Sequence, residues 1–255
     1  MSTATRSPGH SPGHAEQLIR ARRATRAFTR EPVPEDTMRA VFALAGAAPS
    51  NSNTQPWHVE VVSGAARDRL GADLIAAHTD RRMSLDFPYR DDLYTGTYAQ
   101  RRHEAGAAMY GALGIGRDDH EQREAFHAES LNFYGAPHVA LLFLPPNAEE
   151  RMAADLGMYG QTLLLAMTAY GIASCPQGLL SFYADTVRES LGMNGTGGTG
   201  GTGGTGGTGG TGGTGGAGPN KLLFGISFGY ADPSAPINNI TVPRAELQET
   251  TRFHS

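Results

Sequence analysis

The chain has 255 residues, and its 21 Lys+Arg against 25 Asp+Glu give a formal net charge of -4 at pH 7. This balance excludes a global electrostatic attraction to nucleic acid or to an anionic membrane surface. A single cysteine, Cys175, excludes an intramolecular disulfide framework. We expect a cytoplasmic protein without a membrane span, because the sequence has neither the apolar core of a signal peptide nor a run of about 18 apolar residues.

Two low-complexity stretches differ from the rest of the chain. Residues 7–14 read SPGHSPGH, a duplicated run of turn-forming residues, and we expect residues 1–14 to form a disordered tail. Residues 195–218 repeat the tripeptide Gly-Thr-Gly, with Gly-Ala-Gly at the end, and hold 16 of the 34 glycines. We therefore predict a single folded domain over residues 15–255, interrupted by a flexible Gly/Thr loop at 195–218.

Helical and extended patterns alternate along the rest of the sequence. The predicted helices cover residues 14–23, 34–48, 66–82, 97–114, 118–135, 148–171 and 182–191. The predicted strands cover residues 57–63, 138–145 and 221–232. In the longest helix the small residues Ala153, Gly157 and Gly160 would let another helix approach closely. Because the strands lie far apart and are mixed with helices, the fold class is α+β or α/β.

Three arginines lie close together in RRATRAF, residues 22–28, where the first predicted helix gives way to extended chain. The planar guanidinium group of arginine binds phosphate oxygens in pairs, so Arg22, Arg23 and Arg26 are candidate phosphate ligands. Arg244, near the end of the chain, could complete the same site. The alternative for each arginine is a solvated, partly ion-paired helix end.

Short amide and hydroxyl side chains crowd into PSNSNTQPW, residues 49–57, between a predicted helix and a predicted strand. Such side chains can present donors and acceptors along the edge of a flat heterocycle. The alternative is a helix-to-strand connection in which Asn51 and Asn53 cap backbone groups. A phosphate site at one end and a polar ring edge at the other together indicate a mononucleotide.

These two blocks resemble the FMN-dependent nitroreductase family, whose usual patterns are Arg-Arg-Ser-x-Arg-x-Phe and Ala-Pro-Ser-x-x-Asn-x-Gln-Pro-Trp. The resemblance continues in family order through NFYGAPHVALLF (132–143), YGIASCPQGLL (170–180) and a terminal block over 229–247. It covers most of residues 15–194 and 219–255. It implies an α+β fold with a central, mostly antiparallel sheet flanked by helices, and a homodimer with two FMN sites at its interface.

The resemblance also implies which residues bind FMN. The phosphate would be held by Arg22, Arg23, Ala24, Thr25, Arg26 and Arg244, with Ala24 in place of the usual serine and one hydroxyl contact therefore missing. The isoalloxazine ring would be lined by Pro49, Ser50, Asn51, Asn53, Gln55 and Asn132, and by a turn formed by Pro176, Gln177 and Gly178. Trp57 would pack beneath this cluster.

The implied activity is ping-pong hydride transfer, in which NAD(P)H reduces bound FMN and a small nitroaromatic or quinone-type acceptor then takes the electrons. No side chain is needed as an obligatory acid or base, so we predict no catalytic residue, and HEAGA (103–107) lacks the second histidine of a zinc site, so we predict no metal. The segment 86–102 is the predicted substrate lid, with Tyr89, Tyr94, Arg101 and Arg102 as candidates. Two alternatives stay open: another flavin reaction on the same fold (flavin cleavage, reductive dehalogenation or ene reduction), or a non-catalytic FMN carrier or sensor.

Overall fold

The computed structural model describes residues 12–193 and 218–254. Most of the predicted tail and of the predicted Gly/Thr loop lies outside these residues. The helices are α1 (Pro12–Ala21), α2 (Glu35–Ala45), α3 (Gly64–Thr79), α4 (Gly96–Ala112), α5 (His120–Leu131), α6 (Glu150–Ala169), α7 (Ala184–Ser190) and α8 (Leu247–Thr250). The strands are β1 (His58–Ser63), β2 (His138–Leu144), β3 (Ala173–Gln177) and β4 (Lys221–Gly229). Helix α1 begins at Pro12, within the predicted tail, and the division of the chain at residue 14 stays a prediction.

The four strands form one antiparallel sheet in the order β1-β2-β4-β3. Every residue of β2 is buried, and its side chains alternate between two hydrophobic cores, as the two-residue period of a strand requires. Val139, Leu141 and Phe143 belong to the core that contains Leu70 and Leu74 of α3. The intervening residues of β2 belong to the core formed with α2 and α6. Helices therefore cover both faces, and the predicted α+β fold with an antiparallel sheet is confirmed.

Strand β3 is absent from the sequence prediction, which placed Pro176 and Gln177 in a turn. The structure pairs both residues with β4, and the turn starts only at Gly178, the first residue of a short 3-10 helix. The proline is tolerated because β3 lies at the edge of the sheet, where a residue without a backbone N–H breaks no ladder on its outer side. The assignment of Pro176 and Gln177 to a turn is therefore wrong, while that of Gly178 agrees with the structure.

One of the small residues of α6, Gly160, serves a different purpose from the one predicted. A Cβ built on Gly160 would lie 2.8 Å from Cζ of Phe224, on β4, and 3.8 Å from Leu142, on β2. Gly160 thus lets the helix approach the sheet rather than another helix. At Gly157 a Cβ would meet nothing within 4 Å.

A buried histidine joins three parts of the fold. The Nε2 atom of His138 accepts the backbone N–H of Val33 at 2.9 Å, so the ring proton lies on Nδ1 and is donated to Oγ of Ser63 at 2.6 Å. The ring also stacks on Phe228, with 5.1 Å between centroids. Burial lowers the pKa of His138. The neutral ring is therefore the form that the fold stabilises.

We expect this histidine to make the protein less stable in mild acid. The pKa of an unfolded histidine is about 6.5 and the folded value is lower, so the unfolded chain binds more protons between the two values. The contribution is complete above about pH 6.5 and is lost as the pH falls toward the folded pKa, at about 1.4 kcal/mol per unit of difference. Urea denaturation at pH 7 and at pH 5 measures it. His138→Gln, which keeps a neutral acceptor, should lose less stability than the wild type between these pH values; an equal loss would contradict the assignment.

Candidate functional site

The segment 22–28 lies along the outer edge of β3. The N–H of Thr25 donates to the carbonyl of Ser174 at 2.9 Å, and Ala24 forms a parallel bridge with Ser174. The N–H of Arg26 donates to Oδ1 of Asn238 at 2.8 Å. The amide of Asn238 also donates to the carbonyls of Ala27 and Asp232, at 2.8 and 3.0 Å. The sequence prediction missed Asn238, which fixes the backbone between the predicted phosphate ligands.

Two of the three arginines act electrostatically on Cys175, in the middle of β3. The pKa of Cys175 is raised to about 11 by burial, and Arg26 and Arg22 act in the opposite direction. The pKa of Tyr134 is raised mainly by burial, against the opposing effect of Ser130 and Arg26. The Cys175 thiol thus stays protonated at neutral pH, as is typical of a buried core residue rather than of a nucleophile. Arg23 is exposed.

The side chain of Gln177 is committed to the protein interior. Its amide nitrogen donates to the carbonyl and hydroxyl oxygens of Ser130, at 2.6 and 3.1 Å, and its amide oxygen accepts the hydroxyl of Ser227. Only 4% of the residue is exposed. Gln177 therefore offers a ligand its backbone and not its amide, while the neighbouring Pro176 and Gly178 are exposed.

The segment 49–57 is an exposed loop with an unusual backbone. Ser52, Asn53 and Gln55 all have positive φ, at 51°, 56° and 47°. Such left-handed residues outside glycine are costly and cluster at functional sites. The N–H of Gln55 donates to Oγ of Ser50 at 2.9 Å, and its amide donates to the carbonyl and side-chain oxygens of Asn53, each at 3.2 Å. The side chains of Asn51, Asn53 and Gln55 and of Pro49 are exposed, and Ser50 is half-buried.

Helix α6 contacts this loop through two side chains, Asp155 and Tyr159. The backbone N–H of Asn51 donates to Oδ1 of Asp155 at 2.9 Å, and Asp155 is only 3% exposed. Trp57 stacks on Tyr159, one helical turn further on, with 4.9 Å between ring centroids. The predicted packing of Trp57 beneath the loop agrees with this contact. Asp155 was not predicted, although a carboxylate among the buried positions of an apolar helix was a visible signal.

We expect Asp155→Ala to weaken FMN binding and to destabilise the fold by about 1.5–3 kcal/mol, because the N–H of Asn51 loses a charged acceptor. Asp155→Asn keeps an acceptor oxygen and is the matched control, with a smaller loss. FMN fluorescence titration and urea denaturation of the flavin-free protein measure the two effects. If both variants bound FMN like the wild type, Asp155 would not position the loop.

Two further predicted ligands have local contacts. The carbonyl of Asn132 accepts Nη2 of Arg67 at 2.5 Å, and a Cβ built on Gly71 would lie 3.3 Å from Oδ1 of Asn132. Arg244 is exposed, and its Nη1 donates to the carbonyl of Val242 at 2.8 Å. The roles of Asn132 at the ring and of Arg244 at the phosphate stay predictions.

All four residues predicted for the substrate lid line one cavity of about 460 Å³, here named the tyrosine cleft. Its lining residues are Tyr89, Tyr94, Tyr98, Arg101 and Arg102. The ring of Tyr89 packs on Phe182 at 5.0 Å, and the guanidinium of Arg102 lies 5.5 Å from the ring centre of Tyr94. Arg101 pairs with Glu249 of α8 at 2.8 Å. The sequence placed these residues together correctly, and their part in substrate binding stays a prediction.

A buried ion pair anchors the segment that carries the cleft. Both Nη atoms of Arg188, on α7, bind the carboxylate of Asp86, at 2.7 and 3.0 Å. The same carboxylate accepts the N–H of Leu222, at the start of β4, at 2.7 Å. The lid thus begins at a point fixed to both a helix and the sheet. Among the described residues, no group of three His, Cys, Asp or Glu side chains could hold a metal ion, and no helix is long and apolar enough to cross a membrane.

Comparisons with known proteins all identify nitroreductases as similar to this chain. Residues 19–201 match the model of the nitroreductase family. The chain is 57% identical to "Nitroreductase NfnB" of Mycolicibacterium smegmatis over 239 residues, which are 94% of this chain and 92% of that protein. It is 28% identical to a 4-nitrobenzoate reductase of Pseudomonas putida, over 93% and 94% of the two chains. The crystal structure of the FMN-dependent nitroreductase NfnB from Mycobacterium smegmatis in complex with NADPH superposes with a TM-score of 0.84, at 56% identity, over 95% of this chain and 99% of that one.

Proposed function

Because the chain belongs to the nitroreductase family, we propose that it is an FMN-dependent oxidoreductase that passes electrons from NAD(P)H to nitroaromatic or quinone-type acceptors. It acts by a ping-pong cycle, as a cytoplasmic homodimer. The absence of any cysteine besides the buried Cys175 fits a reducing compartment. The observation that carries the proposal is the position of the segment 22–28, with Arg22 and Arg26, along the outer edge of β3.

The residues present fit FMN. Arg22 and Arg26 supply two positive charges that act on Cys175 of β3, and Gly178, the residue that follows this strand, is exposed. A phosphate monoester is the ligand that such a pair of guanidinium groups binds best. The exposed amides of the loop 49–57, held by Asp155, supply the mixture of donors and acceptors that a flavin ring edge requires.

Separate sets of residues bind the FMN phosphate, the flavin ring and the acceptor. Arg22, Arg23, Arg26 and Arg244 hold the phosphate, with backbone contacts from Ala24 and Thr25. Pro49, Ser50, Asn51, Asn53, Gln55, Asn132, Pro176, Gln177 and Gly178 line the ring. When bound, FMN supplies two-electron transfer between the nucleotide and the acceptor. Tyr89, Tyr94, Arg101 and Arg102 receive the acceptor in the tyrosine cleft, and no protein side chain is needed as an acid or base.

The homodimer is supported by apolar side chains exposed on helices that pack together. Ile19 of α1, Leu44 of α2 and Met158 of α6 are 58%, 48% and 39% exposed. Both α1 and α2 contact α6, so the three helices that carry these residues are neighbours. A partner subunit would cover them, because contiguous exposed apolar surface is typical of subunit interfaces. Analytical ultracentrifugation tests this directly, with a monomer mass contradicting the proposal.

An anaerobic visible spectrum of the purified protein tests the activity, recorded before and after adding NADPH and, separately, NADH. We expect a yellow protein that is bleached by nucleotide and regains its colour when 4-nitrobenzoate is added. A yellow protein that stays oxidised with both nucleotides would favour a carrier or sensor. Loss of the flavin spectrum without recovery would favour flavin cleavage, and a colourless protein that takes up no FMN would contradict the assignment.

A further inference from the structure

The turn that follows α5 has a backbone conformation that residues other than glycine rarely adopt. Phe133 and Tyr134 have φ of 58° and 54°, and Gly135 follows with 74°. Successive left-handed residues are costly and persist only where the surrounding structure holds them, which is common at functional sites. The site described above uses only Asn132 of this turn, so it does not explain the conformation of Tyr134.

Arg67, on α3, holds the turn at both ends. Its Nε donates to the carbonyl of Ala136 at 2.9 Å, and its Nη2 donates to the carbonyl of Asn132 at 2.5 Å. The centre of the guanidinium lies 5.0 Å from the ring centre of Phe133. Arg67 is buried. Tyr134 lies between these contacts, so a buried cation fixes the backbone from which the tyrosine side chain extends.

The side chain of Tyr134 is held at its ring and at its oxygen. The ring packs on Phe126, with 5.8 Å between centroids. Burial raises the pKa of Tyr134, while hydrogen bonds of its side chain with Ser130 and Arg26 act in the opposite direction. A guanidinium group has donors only, so the Tyr134 oxygen accepts the hydrogen bond from Arg26. The phenol therefore contacts one of the proposed phosphate ligands of FMN.

Ser130 connects Tyr134 to the interior of the sheet. The Oγ atom of Ser130 accepts the side-chain amide of Gln177, on β3, at 3.1 Å. The amide oxygen of Gln177 accepts the hydroxyl of Ser227, on β4. Ser130, Gln177 and Ser227 are all buried. A continuous chain of buried polar side chains thus supports the tyrosine hydroxyl, and such a chain restricts the side chains that it joins.

Two neutral oxygens contact the guanidinium of Arg26. Its Nη1 donates to the carbonyl of Ala24 at 3.3 Å, longer than the roughly 2.9–3.0 Å of a typical N–H···O bond. The hydroxyl of Tyr134 is the second oxygen. Neutral acceptors orient a guanidinium group without cancelling its charge, which stays available for an anion. Because the contact with Ala24 is long, the orientation of the guanidinium depends mainly on Tyr134.

We propose that Tyr134 is a positioning residue for FMN, an inference that rests on the proposed function. Its hydroxyl holds the Arg26 guanidinium in the orientation in which it binds the FMN phosphate. Without this hydroxyl the guanidinium has more conformations available, and FMN binding has to restrict them. Restricting one flexible side chain on binding lowers affinity by roughly three- to tenfold. Tyr134 thus acts on FMN affinity through Arg26.

FMN titration of Tyr134→Phe, followed by fluorescence quenching, tests the role of the hydroxyl. The substitution removes one oxygen and keeps the ring on Phe126. We expect the dissociation constant of FMN to rise roughly three- to tenfold. Tyr110→Phe is the matched control, because the ring of Tyr110 also contacts Phe126, with 5.9 Å between centroids, and this variant should bind FMN like the wild type. An unchanged affinity of Tyr134→Phe would overturn the proposal.

A double-mutant cycle with Arg26→Ala separates positioning from general support of the fold. In the Arg26→Ala background there is no guanidinium to orient, so adding Tyr134→Phe should leave the FMN affinity unchanged. An equal loss in the two backgrounds would mean that Tyr134 acts on the fold, and the proposal would be wrong. The proposed function fails separately: a wild type that binds FMN and shows this coupling, but is reduced by neither NADPH nor NADH, would contradict the activity and leave the role of Tyr134 standing.

Discussion

Asp86→Ala is expected to reduce the free energy of unfolding by about 3–5 kcal/mol, the cost of removing one partner of a buried ion pair. The side chains of Arg188 and Asp86 are only 8% and 14% exposed. Without Asp86, the guanidinium keeps Asp185, but the Asp185 side chain is 65% exposed and screened by solvent. The large effect thus comes from a buried charge left without its main partner.

The loss should extend beyond one ion pair. Asp86 also accepts the backbone N–H of Leu222, and Arg188 donates to the carbonyl of Asn220 at 3.0 Å. The carboxylate therefore joins the start of the lid segment, α7 and the first residues of β4. Its removal takes away the Leu222 hydrogen bond together with the ion pair, so a single substitution can disorder the tyrosine cleft as well as lower stability.

Urea denaturation of the flavin-free protein measures the stability change without a contribution from bound cofactor. Asp92→Ala is the matched control, since Asp92 lies on the same segment and pairs with Arg90 at 3.4 Å, with both side chains more than two-thirds exposed. We expect this surface pair to contribute about 0–1 kcal/mol. Equal losses in the two variants would mean that the Asp86 network does not anchor the lid.

The parts of the fold that sequence predicted well have long, unambiguous periodic patterns. Helix α6 carries apolar residues over its full length, and β2 is a continuous apolar run because it is buried on both faces. Strand β3 had neither property: it is five residues long, contains a proline and follows a helix after a glycine-containing turn. Its pairing with β4 joins residues far apart in the chain, and no local pattern indicates such a partner.

The same distinction applies to the site. The arginines of 22–28 and the amides of 49–57 are recognisable because their motifs are contiguous in sequence. The groups that hold these segments are not, since Asn238 is 212 residues from Arg26 and Asp155 is 104 residues from Asn51. Only folding brings such pairs together. The candidate ligand residues were thus recognisable from motifs, and the residues that position their backbone were not.

Arg22→Ala is expected to raise the dissociation constant of FMN by roughly 10- to 150-fold, which corresponds to the loss of one charge-assisted phosphate contact of about 1.5–3 kcal/mol. Arg22 is half-buried after the end of α1 and acts electrostatically on the buried Cys175 together with Arg26. Both cations therefore act on the same residue of β3. Removing either should weaken a phosphate bound there far more than removing a distant cation.

Arg30→Ala tests whether FMN affinity depends on the position of an arginine or only on the total positive charge. Arg30 is exposed, lies just beyond the segment 22–28, and carries the same charge. FMN titration followed by fluorescence quenching should give Arg30→Ala an affinity close to that of the wild type, because an exposed charge outside the site is screened by salt. Arg22→Lys keeps the charge but not the paired donors, and we expect it to fall between the wild type and Arg22→Ala. If Arg22→Ala kept full flavin occupancy at limiting FMN, the phosphate would have to lie elsewhere, and Arg22 would be a solvated helix-end residue.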